Sequence, residues 1–171
     1  MPLVRNGKIA DDAFVTLTDE ADVPGDGAII VSAARLLEDA ERLLTRGGRT
    51  GVIWPNNREV DDLVPYLDRL AVVALVFPTF RDGRAYTQAR LLRERYGYRG
   101  ELRATGQVLR DQFLFMLRAG FDAFDVKKLA DAEAFAGTVT RYSVFYQPTG
   151  DGRLTALHQR MLSRHSERAS Q

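Results

Sequence analysis

The chain has 171 residues, with 24 lysines and arginines against 23 aspartates and glutamates, a net charge of +1 and no cysteine. That length supports one domain with its own core. The balanced charge excludes a strongly basic nucleic-acid module, and the missing thiols exclude disulfides, cysteine-bound metal and thiol catalysis. No apolar run approaches the roughly 20 residues of a membrane helix. Arg5, Asn6, Gly7 and Lys8 break up any signal-peptide core. The chain therefore reads as cytoplasmic, with no membrane and no nucleic acid among its partners.

Residues 1–27 read as an N-terminal hairpin and linker. Val4-Arg5 and Lys8-Ile9 flank Asn6-Gly7, the dipeptide favoured by a type I′ turn, whose two central residues need positive φ. Ala13 to Leu17 adds an extended stretch, and Asp19 to Gly27 is acidic and carries Pro24, Gly25 and Gly27, as a linker would.

A βα rhythm occupies residues 28–162. Ala28 to Val31 is a short buried strand. Leu36, Leu37, Ala40, Leu43 and Leu44 recur at helical spacing and stop at Gly47-Gly48. Thr50 to Trp54 is a second strand, Pro55-Asn56-Asn57 a turn, and Val60, Leu63, Val64 and Leu67 a second helix. Ala71 to Phe77 is the most apolar strand and belongs at the centre. A polar loop, Pro78 to Arg84, leads into a helix through Tyr86, Ala89, Leu91 and Leu92 up to Gly97. Leu102 to Thr105 is a fourth strand, and Val108, Phe113, Met116 and Leu117 form a helix ending at Gly120. Phe121 to Val126 is a fifth strand, Lys128 to Phe135 a fifth helix, and Tyr142 to Tyr146 a last strand. Residues 163–171 read as a flexible tail. This order predicts an α/β domain with an open, mostly parallel five-stranded sheet and helices on both faces. A partial (βα) barrel is the alternative built from the same units.

In either architecture ligands bind at the carboxyl ends of the strands. The loops there carry Asn56, Arg81, Arg84 and Gln107, and the next helix start adds Arg110. Arginine, amide and helix N-terminal N–H groups in one place suit an oxyanion. Arg103 joins this anion-binding set because it stands in a strand between Leu102 and Ala104, where an unpaired charge is costly to bury. It either faces a ligand, pairs with an acid such as Asp82 or Asp111, or sits in water at an edge. The plainer reading of the Arg81–Arg84 loop is a solvated turn whose arginines pair with nearby acids.

Other motifs are negative. There is no Gly-x-Gly-x-x-Gly loop, no Walker loop and no Gly-x-Ser-x-Gly elbow. His158 and His165 lie near the C-terminus, away from the predicted rim, and no metal site follows from their spacing. Asp11-Asp12 and Asp61-Asp62 read as solvated acidic faces. Ser143 to Pro148 carries Phe145 and Tyr146, and on a sheet edge it would leave alternate aromatics exposed and suit a partner or a homodimer.

Several long strings carry a family resemblance. They are Trp54-Pro55-Asn56, Phe77-Pro78-Thr79-Phe80-Arg81-Asp82-Gly83-Arg84-Ala85-Tyr86, Gly100 to Gly106, Leu109-Arg110-Asp111-Gln112, Gly120 to Phe124, and Phe145-Tyr146-Gln147-Pro148. On these residues the chain resembles a bacterial family of unknown function. Its members are commonly described as oxidoreductases involved in sulfite reduction and are encoded beside sulfite reductase genes. The resemblance implies a role in assimilatory sulfite reduction and supplies no catalytic residues.

Redox catalysis needs a thiol pair, a metal or an organic cofactor, and the sequence marks none of them. The expectation is therefore an accessory protein without a cofactor of its own, binding a small oxyanion, the sulfite reductase, or both. The alternatives are an enzyme acting on a small anionic substrate or using a flavin, and a structural interaction module.

Overall fold

A computed structural model of the protein describes residues 2–139 and 155–169. The predicted strand Tyr142 to Tyr146 and the aromatic stretch Ser143 to Pro148 lie outside the described residues. The chain opens with a hairpin of β1 (Leu3–Arg5) and β2 (Lys8–Ala10). Asn6 and Gly7 have φ of 50° and 76°, the left-handed pair that the Asn-Gly turn predicts. Next come β3 (Phe14–Thr16), β4 (Ala28–Ser32), α1 (Ala33–Glu38), α2 (Ala40–Thr45) and β5 (Thr50–Trp54). A 3-10 helix, Val60–Arg69, leads into β6 (Leu70–Phe77). Then follow α3 (Arg84–Arg90), a π-helical turn (Leu91–Arg95) and β7 (Glu101–Gly106). A 3-10 turn (Arg110–Gln112), α4 (Phe113–Ala119), β8 (Ala123–Asp125), α5 (Leu129–Val139) and α6 (Ala156–Ala169) complete the order.

All the strands among the described residues share one eight-stranded sheet in the order β2-β1-β8-β7-β6-β5-β4-β3. From β3 to β8 the neighbours are parallel, and β1 is antiparallel to both β8 and β2. The five predicted strands are all present and adjacent, and the N-terminal segment adds three more. β6 lies between β5 and β7, in the middle of the sheet as expected.

The expectation of helices on both faces fails. Neighbouring parallel strands follow each other in chain order, so every right-handed crossover returns on the same side. One core cluster joins Leu36, Leu43, Leu63, Ala89, Leu92, Met116 and Phe135 of the helical layer to Val31, Val52, Val73, Leu75 and Phe124 of the sheet. The opposite face has its own small cluster, Phe14, Ile30 and Val72, without a helical residue.

The sheet is instead curled into a half-barrel, in line with the alternative architecture. Its two edges show why. A flat sheet of eight strands would hold β2 and β3 about 33 Å apart. Yet β2 ends at Ala10 and β3 begins at Phe14, and that length of chain reaches at most about 14 Å. Residues 11–13 are therefore a strap across the gap. Inside the curve the register aligns Thr16, Ile30, Gly51, Val72 and Glu101 in one layer, and Ser32, Ile53, Ala74, Arg103 and Ala123 in the next. A Cβ on Gly51 would stand 2.8 Å from the Val72 Cβ, so only glycine lets Ile30 and Val72 close over that position.

The second predicted helix differs in type. Pro65 lies inside it and lacks the N–H an α-helix interior requires. The segment winds as a 3-10 helix that still buries Val60, Leu63 and Leu67 while Val64 faces out. Among the described residues no helix is long and apolar enough to cross a membrane.

Candidate functional site

The carboxyl ends of the strands carry two separate cavities, one outside the curl and one inside. The outer one, on the rim, lies between the loop after β5 and the start of α3. It has a volume of about 230 Å³ and is lined by Asn56, Arg58, Arg84, Thr87, Gln88 and Leu91 among others. Gln88 is 6% exposed, and its Nε2 donates to the carbonyls of Pro55 and Arg58 at 3.1 and 2.8 Å. Its Oε1 is buried without a hydrogen bond, as are Nδ2 of Asn56 (8% exposed) and Nε1 of Trp54. Buried polar atoms without partners are rare in folded proteins and call for an explanation. Three of them around one short loop mark it out.

The loop after β6 is held from the neighbouring strand. Gln107 Oε1 accepts from the Phe80 N–H at 3.1 Å, the Gln107 N–H donates to the Phe77 carbonyl at 2.8 Å, and Gln112 Nε2 donates to the Phe80 carbonyl at 3.3 Å. Gly106 makes this approach possible: its φ is 91°, and a Cβ there would lie 2.4 Å from the Phe77 carbonyl oxygen. At the loop's end Arg84 grips Asp82 through Nε and Nη2 at 2.9 and 2.6 Å. The Asp82 carboxylate also accepts the Arg84 backbone N–H at 3.3 Å. The Arg84 hydrogen bond holds the Asp82 carboxyl well below the usual carboxylate range, with a smaller contribution from Asn56. Asn56 lies near enough to Asp82 to exert that pull, although its Nδ2 makes no well-formed hydrogen bond.

Of the predicted anion-binding set, Asn56 and Arg84 meet at the outer cavity and Gln107 braces the adjoining loop. Arg81 is exposed with its guanidinium 5.5 Å from the Phe80 ring centre, and Arg110 is exposed on the short turn before α4. Neither lines either cavity. Arg103 lies elsewhere, inside the curl.

That inner cavity, the lumen, measures about 290 Å³ and is lined by Asp12, Thr16, Ile30, Ile53, Ala74, Arg103, Thr105 and Asp125. Arg103 is 2% exposed. It donates to both Asp12 oxygens at 2.7 and 3.0 Å and to Glu101 Oε1 at 2.8 Å, and it stands 3.7 Å from Asp125. Glu101 turns its second oxygen to Arg5 at 2.7 Å. The acids expected beside Arg103, Asp82 and Asp111, are not its partners. Asp12, read from sequence as a solvated face, is exposed as expected, yet from the strap its carboxylate reaches the buried Arg103. Burial raises the Asp12 carboxyl, but the Arg103 hydrogen bond and the Phe14 N–H outweigh it, and the net shift is downward. Burial pushes Asp125 above its ordinary value, with Arg103 and a Thr105 hydrogen bond offsetting only part.

Sequence reading missed Asp12, Thr16, Glu101, Thr105 and Asp125. One signal was present. Glu101, Arg103 and Thr105 alternate with Leu102 and Ala104, the period of a strand with one polar and one apolar face.

Fold and cavities together define a curled α/β half-barrel with polar ligand-sized spaces at its carboxyl end. The family model described as a bacterial protein of unknown function (DUF934) matches residues 51–157, more than half of the chain, and the protein belongs to that family. The matched region contains the whole outer cavity but leaves out Asp12, Thr16 and Ile30 of the lumen. No curated protein gives a significant match.

Proposed function

We propose that this protein is an accessory factor of assimilatory sulfite reduction that binds a small oxyanion in the outer cavity. The observation that carries the binding site is the buried Nδ2 of Asn56, which makes no well-formed hydrogen bond, beside Arg84. An N–H donor and a guanidinium around one small space recognise an oxygen anion through charge-assisted hydrogen bonds. The unpartnered Gln88 Oε1 adds an acceptor, which suits an oxyanion that retains one proton. Asp82 holds the Arg84 fork in place, while Gln107 and Gln112 hold the backbone that carries it. The pathway rests on the family resemblance. In a chain without cysteine, electron transfer to sulfite falls to the reductase, and the role left for this protein is to hold or deliver the anion.

Calorimetric titration with sulfite and with sulfate tests the site. Sulfite is expected to bind the wild type, and Asn56→Leu or Arg84→Ala to weaken it by about 10- to 100-fold, the range of one charged hydrogen bond. Undiminished binding in both variants overturns the site. Normal growth of a deletion strain on sulfate overturns the pathway.

A further inference from the structure

We propose a second ligand site, in the lumen of the half-barrel, for a small organic cation carrying a primary ammonium group, with Asp125 as its charged acceptor. It does not rest on the oxyanion reading of the outer cavity. The argument begins with position. The lumen is lined from six successive parallel strands, by Thr16, Ile30, Ile53, Ala74, Arg103 with Thr105, and Asp125. It includes the carboxyl-end residues of β3 and β8, and barrel folds bind their ligands at that end. At about 290 Å³ it has room for roughly ten water-sized groups.

Charge selects the ligand. Asp12, Glu101 and Asp125 face Arg103 and Arg5, one negative charge in excess. The Arg103 guanidinium is engaged by Asp12 and Glu101, so an anion entering here would meet carboxylates and no available cation. Asp125 is the loosely held member: its closest approach to Arg103 is 3.7 Å, beyond hydrogen-bond length. Its remaining polar neighbour is the Thr105 hydroxyl. Thr105 supplies an oxygen acceptor beside it and Thr16 of β3 lines the same space, while Ile30, Ile53 and Ala74 form an apolar wall. A carboxylate with a hydroxyl beside it and aliphatic carbon along the cavity wall matches an ammonium head on a short hydrocarbon body. Among the described residues no group of three acids or histidines is placed to hold a metal ion, which separates an organic cation from a bare one.

The test is an amide NMR titration of the full-length protein with n-butylammonium chloride, sodium butyrate and n-butanol in parallel. Butylammonium is expected to shift amides of β7, β8 and residues 11–16, with butyrate and butanol inert at the same concentrations. Asp125→Asn should weaken the response at least about tenfold. Ala74→Leu, which fills the lumen without altering a charge, should abolish it, and this second variant keeps the test decisive if Asp125→Asn disturbs the fold. Equal responses to all three probes, no response to butylammonium, or an undiminished response in Ala74→Leu would each overturn the proposal.

Discussion

Arg84, just past the carboxyl end of the sheet, and Arg103, in the middle of β7, are the same side chain put to opposite uses. Arg84 is exposed and pairs with an acid two positions away, so its ion pair shapes one loop and is screened by solvent. Arg103 is buried, and its bridge to Asp12 spans 91 positions, tying the strap to the fifth of the six parallel strands. A local, wet ion pair leaves a charge that a ligand can recruit. A remote one built on a buried arginine fixes topology, because loss of that arginine leaves the carboxylates around it uncompensated.

The largest effect that would break this contrast belongs to Arg103. Arg103→Met is expected to lower unfolding stability by about 3–5 kcal/mol, the typical result of removing one partner from a buried ion pair. Urea denaturation measures it, and a cost below about 1 kcal/mol would make the lumen network no more structural than the rim. A smaller effect sharpens the contrast through pH. The Asp12 carboxyl is lowered in the fold from an ordinary 3.8, so its bridge contributes fully above that value and is lost as pH falls through the lowered one. Asp12→Asn should therefore flatten the fall of the thermal midpoint below about pH 4. Asp125, raised by burial, works in the opposite sense and favours the fold more below its raised value than above it. The smallest effect is on Arg84. Arg84→Ala should leave the urea midpoint almost unchanged, and a clear loss would assign this arginine to the scaffold.

The contrast also marks how far the sequence could be read. Asn6-Gly7, the apolar run ending at Phe77 and the glycine at 120 are local signals, and each stands where local chemistry places it: the turn, the middle strand, and a left-handed helix end with φ 107°. That Asn56 and Arg84 would stand around one space was legible too, since parallel strands bring their carboxyl ends to one edge. The curl was not. Whether crossovers land on one face or two depends on strand order, and no residue of β4 or β5 records its neighbour. Short alternation on β7 was visible, but its partners lie in the strap and β8, and only closure brings Asp12 and Asp125 to Arg103. The Pro65 helix shows a third kind of miss. Its apolar spacing served a 3-10 winding as well as an α-helical one, and one missing N–H decided between them.

The hairpin's place in the sheet has a consequence for how the protein is made. β1 leaves the ribosome well before β8, yet β8 is its partner across the sheet, with Leu3 opposite Asp125. Until most of the chain has been synthesised, the hairpin has no β8 edge to add to, and the strap has no strand to anchor beside Arg103. Contacts this distant in sequence form slowly, because a long loop must close before they reward it. The hairpin thus waits on a strand made after it, and a polypeptide stalled before β8 would expose an open edge of a kind that invites pairing with another chain.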